Sequence, residues 1–97
     1  MGEVETAVKT AARIRHNKLD DEIARLIDAA TTEMIRAGVD EKAARGDDPL
    51  IIQAKVTYCL MNLTEDPNLI DKYNHAFEIQ LDGLRKSLKY CGGDDNV

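Results

Sequence analysis

The chain has 97 residues, 43% of them hydrophobic, 32% charged and 4% aromatic, a size that buries one modest core without a second domain and a balance that excludes sheet-rich and disordered classes. Lys and Arg number 13 against 18 Asp and Glu, for a net charge of -5, which opposes a role in gripping nucleic acid, because phosphate neutralisation needs clustered cations. No apolar run approaches the ~18 residues of a membrane span, and no signal peptide is expected from the opening residues.

The start, "GEVETAVKTAARIR", spaces Val4, Val8, Ala11 and Ala12 for a short helix that ends near Arg13 to Arg15, where cations suit the negative helix end. Next, "HNKLDDEIARLIDAATTEMIRAG" predicts an amphipathic helix with Asn17 as N-cap, acids Asp20, Asp21 and Glu22 in the first turn, and Gly38 just past the end. Leu19, Ile23, Leu26, Ile27, Ala30, Met34 and Ala37 form its stripe. "VDEKAARGDD" reads as a loop with one helical turn. Asp48 and Pro49 then start a third long helix, and Asp66 with Pro67 starts a fourth, because the carboxylate accepts from free amides and proline at the first position needs no donor.

Between those starts lies "PLIIQAKVTYCLMNL", apolar on most of its circumference and so expected to be surrounded by the others. The last helix, over residues 68–90, carries Ile70, Tyr73, Phe77, Leu81, Leu84 and Leu88 at steps of three and four. The glycines after Cys91 should stop it and leave a loose acidic tail over 91–97. The fold expected is therefore all-α, a compact bundle of four main helices around a largely apolar central helix. A single domain spans 1–90.

Chemistry is sparse. His16 and His75 stand apart with no ligand pattern, so no metal is expected. Cys59 and Cys91 lack any framework spacing; both are expected to be reduced, with Cys59 a small core side chain. No phosphate loop, serine elbow or Cys/His arrangement appears, and the acidic pairs sit where helix N-termini attract negative charge. Neither an enzyme nor a cofactor is expected. Tyr58 and Tyr73 fall on apolar stripes and read as core. Lys9, Arg13, Arg15 and Lys18 form the one positive cluster; beyond a solvated face, its functional reading is an acid-seeking contact with a neighbouring subunit or a nucleic-acid backbone.

The order "AVKTAARI", "LDDEIARLIDAATTEMIRAGV", "DDPLIIQAKVTYCLMNL", "LIDKYNHAFEIQLDGLRKSLKY" resembles the small all-helical head-tail connector proteins of tailed bacteriophages and prophages. The resemblance covers residues 7 to 90 through its acidic "DDEI" helix, "IDAA", the "DPLI" start and the closing "Y…L…SL…Y" helix. It implies a ring of identical subunits beneath the portal of the filled capsid that extends the DNA channel and receives a tail-completion protein. The site is then the virion's head-tail junction, reached from the host cytoplasm during assembly, with DNA only as cargo, no membrane and no catalytic residue.

On that reading the candidate subunit interface is Ile52, Val56, Leu60, Leu63, Ile79 and Leu88. The candidate partner contacts are Lys9, Arg13, Arg15, Lys18, Asp94 and Asp95. Two alternatives differ in kind: a dimeric helical-bundle interaction module, carried by the stripe from Ile70 to Leu88, and a small DNA-packaging or regulatory protein, which would need a polar recognition helix that the apolar run after Asp48 does not supply.

Overall fold

A computed structural model describes residues 3–86 as five helices: α1 (Glu3–Ala12), α2 (Asp20–Arg36), α3 (Glu41–Ala44), α4 (Pro49–Leu63) and α5 (Pro67–Arg85), with no strand among the described residues. The expected helical turns beyond residue 86, with Leu88, and the tail 91–97, with Cys91, Asp94 and Asp95, lie outside those residues.

Local chemistry sets the boundaries. Arg13 takes a φ of 60°; its N–H donates to the Thr10 carbonyl at 3.2 Å and the Ile14 N–H donates to the Lys9 carbonyl at 2.8 Å, the paired bonds by which one left-handed residue closes a helix. Glycine usually holds such a place because any Cβ is strained there. Arg13→Gly is therefore expected to raise stability by about 0.5 to 1 kcal/mol, read from urea melts. A loss of stability would mean that the arginine side chain outweighs the backbone strain.

Asn17 does not cap α2, contrary to the sequence expectation. The helix starts three residues later, with Leu19 in the cap position and no side-chain cap, because Asn17 Oδ1 is taken by Lys9 Nζ at 2.9 Å. At the other end Gly38 has a φ of +111°. Its N–H donates to the Ile35 carbonyl and that of Val39 to the Met34 carbonyl, which turns Val39 into the same apolar cluster as Met34.

The expected helical turn in the loop is α3, capped by Asp40, whose carboxylate accepts from Ala43 N–H at 3.2 Å. Both Asp-Pro starts take the expected form: Asp48 accepts from Leu50 N–H at 3.0 Å and Asp66 from Asn68 N–H at 2.9 Å.

Two clusters share α4. One joins Met34, Val39 and Ala44 to Ile51 and Ala54 of α4 and to Phe77, Leu81 and Leu84 of α5, with Tyr58 tilted on Phe77 at 5.2 Å between ring centroids. The other joins Val8 of α1 and Ile23 of α2 to Cys59 of α4. The buried threonines Thr31 and Thr57 satisfy their hydroxyls on the carbonyls of Ile27 and Gln53, four residues back, so they enter the core with no orphan donor.

The molecule measures 46 × 30 × 18 Å. Its thinnest dimension is that of two helix layers, since one helix with side chains is about 10 Å across. Neighbours α1, α2 and α5 all touch α4, yet two layers leave part of its circumference uncovered. Leu50 and Ile70, read from the sequence as stripe members, are 57% and 37% exposed. Each lies in the first turn of its helix, at an end of the bundle where fewer elements stand beside it.

Candidate functional site

The uncovered side of α4 forms the floor of a groove. Ile52, Val56 and Leu60 recur every four residues along it, half-buried, so they stack on one face. Ala7 and Ala11 of α1 form one wall, and Tyr73, Ala76 and Gln80 of α5 form the other. The space between is about 640 Å³.

A smaller hollow of about 250 Å³ adjoins it, bounded by Ala11, Leu60, Leu63 and Tyr73. Alanines on both walls keep the walls low, which is what lets another backbone come close. Floor and flanks are mainly apolar, with Gln53 and Thr57 of α4 and Gln80 of α5 as polar members, and the length of α4 gives a trough of about 20 Å at 1.5 Å per residue.

The ends of the groove differ in charge. α4 and α5 are antiparallel neighbours across the short link 64–66, so Tyr73 stands beside Leu60 and Gln80 toward Pro49. α1 runs alongside with Ala11 at the Leu60 end, which puts Glu3 at the Pro49 end. Glu3 is exposed at one end; Lys72 and Arg13 are exposed at the other. A helix laid here finds a negative group for one terminus and positive groups for the opposite one.

One polar atom in the lining stands out. Gln80 Oε1 is buried and accepts no hydrogen bond, and an amide oxygen in that state lacks the donor it had in water.

Of the candidate interface residues, Ile52, Val56 and Leu60 come together on the groove floor and Leu63 in the adjoining hollow. Ile79 is 59% exposed on α5, and Leu88 is outside the described residues. The basic cluster divides. Lys9 Nζ is held at 2.9 Å by both Asn17 Oδ1 and Asp20 Oδ1, so its charge works inside the subunit, whereas Arg13, Arg15 and Lys18 are exposed.

Tyr58 lies in the core as expected, while Tyr73 stands at the groove wall. Ala11 belongs to the apolar spacing expected of the first helix, but Ala7 and Ala76 carry too little hydrophobicity to mark a wall from the sequence. The four-residue spacing of Ala7 and Ala11 on α1 was the available signal.

Burial and the nearby Glu5 carboxylate push the Cys59 thiol up to about 12, so at neutral pH it is a packed side chain and not a nucleophile. Among the described residues no group of three or more His, Cys, Asp or Glu is arranged to hold a metal ion. No described helix is long and apolar enough to cross a membrane.

No protein-family model, no curated protein and no solved structure matches the chain.

Proposed function

We propose that the protein is a structural assembly subunit. It docks through the groove on α4 and builds a ring adaptor between the portal of a phage or prophage capsid and its tail. One observation carries the assembly reading: a small domain leaves Ile52, Val56 and Leu60 of its most apolar helix lining an open trough, the shape of surface into which a partner's helix packs its apolar face. In this reading α4 is the hub of the bundle, with its own subunit on three sides and a neighbour on the fourth.

The ring and its place rest on the order of "DDEI", "IDAA", "DPLI" and the closing helix, which resembles head-tail connectors. Heterologous contacts, in which one face meets a different face of the next copy, close such rings. The net charge of -5 suits a channel through which DNA passes without being held. The chain's partners are then further copies of itself, the portal protein and a tail-completion protein, and no residue is catalytic.

The test is the mass of the purified chain across a wide concentration range, by light scattering after size exclusion, with negative-stain images of any large species. A closed ring of many subunits is the expected result at high concentration. A chain that never exceeds two subunits overturns the ring.

A further inference from the structure

We propose that in the free protein the groove is closed by a second copy, whose α5 lies antiparallel on α5 about a two-fold axis through Ala76. The pairing shares with the proposed function only the premise that the groove is a docking surface.

Leu69, Ala76 and Gly83 recur every seven residues on the groove side of α5, with Lys72 and Ile79 between them, each three residues on. That is the recurrence of a helix-pairing seam. Leu69 is 36% exposed and Ile79 59%, so the subunit covers the seam's large members only in part.

A two-fold axis at Ala76 pairs positions equidistant from it, and each pair then meets a need. Leu69 falls on Gly83, where an added Cβ would find nothing within 4 Å, so there is room for a leucine side chain. Ile79 falls on Tyr73, over the hollow beside Leu60. The partner's Lys72 falls on Gln80, at the end of the groove that Glu3 lines, so its ammonium meets a carboxylate there. Symmetry makes every contact twice.

Direction agrees as well. The partner helix enters with its positive N-terminal end toward Glu3 and leaves with its negative end toward Lys72. Two helices laid along a trough of this length bury on the order of 1,000 Å² in total, the low end for a specific complex, which suits a dissociation constant in the micromolar range. A weak cover is what a docking surface needs if it is to open later. The paired form hides the floor of the groove, and a ring neighbour must displace it.

Ala76→Cys, made with Cys91→Ser so that Cys59 is the sole other thiol, tests the axis. Under mild oxidation it should give a disulfide-linked dimer, because the two positions meet within bridging distance; Glu78→Cys, on the outer side of α5, should not. Sedimentation equilibrium adds a second measurement: Lys72→Glu and Glu3→Lys should each weaken the dimer at least tenfold, and the two together should restore it. That cycle also decides the matter if the Ala76 variant fails to fold, as judged by circular dichroism.

A monomer at 100 µM or above, or a dimer that does not cross-link at position 76, overturns the pairing. Rings with no cross-link there overturn the pairing and leave the ring reading standing. A cross-linked dimer that never grows larger supports the pairing and removes the ring.

Discussion

Ile51→Ala should lower the unfolding free energy by about 3 kcal/mol, within the 2 to 5 kcal/mol that removal of a fully enclosed isoleucine costs. Ile51 is 0% exposed and packs in the cluster formed with Met34, Phe77, Leu81 and Leu84. The truncated site cannot easily collapse, because α2, α5 and the α3 turn pack around it and α3, α4 and α5 are each started by an aspartate cap. In a domain whose total stability is about 5 to 15 kcal/mol, that loss takes the melting temperature down by roughly 12 to 24 °C at 4 to 8 °C per kcal/mol.

Its neighbour provides the control. Leu50 is 57% exposed, and Leu50→Ala should stay within about 0.5 kcal/mol of the parent. Urea melts of the two variants decide the register of α4: equal losses at both positions would mean that the helix is rotated from the face described.

Lys55→Met should act in the opposite direction, raising stability at pH 7 by about 1 to 2 kcal/mol, as replacement of a buried charge by an apolar side chain of similar shape often does. Lys55 is 4% exposed, and among the described residues no ion pair holds it. Burial is the main cause that pulls its pKa below the ordinary 10.5; the Arg45 charge adds to this, and Asp28 and Glu5 work against it.

The sign follows from proton counting. Between the lowered folded value and 10.5 the unfolded chain binds more protons at this site than the folded one, so stability rises with pH across that window. Below the window the folded state carries the whole cost of a partly desolvated ammonium; above 10.5 that cost is gone. The advantage of Lys55→Met should therefore be larger at pH 7 than at pH 10.5, as read from urea melts at both ends. A destabilised variant at pH 7 would show that the ammonium is well solvated and that its aliphatic stem matters more than its charge.

The helix starts at Asp48 and Asp66 were legible in the sequence because the information is local: a carboxylate, a proline and the next free amide suffice. The N-cap of α2 was not, because Asn17 is diverted by Lys9, eight residues earlier, a contact that exists only once α1 has docked. α4's nearly all-round hydrophobicity predicted a helix surrounded by the others, whereas α1, α2 and α5 leave its Ile52, Val56 and Leu60 side open, because hydrophobicity alone does not say how many neighbours the chain can supply.

Ile52, Val56 and Leu60 could be named as interface candidates, but the trough itself could not. Its walls are alanines on helices distant in the chain, and a gap between helices is a property of their arrangement and not of any residue. Gln80 carried no signal at all, since an unmet acceptor becomes visible only when its surroundings are known.

The division of the interior into two clusters has a kinetic meaning. Val8 of α1 packs only in the cluster that contains Cys59, whereas α5 contributes only to the other. The lifting of α1 would therefore disrupt one half of the interior and leave α4 and α5 joined through Ile51, Ala54 and Phe77. Such a partial opening is cheaper than global unfolding. It would also bare the Cys59 sulfur, which the closed form shields completely, so the rate at which that one sulfur exchanges with solvent-borne reagents is a clock for the hinge between α1 and the rest of the molecule.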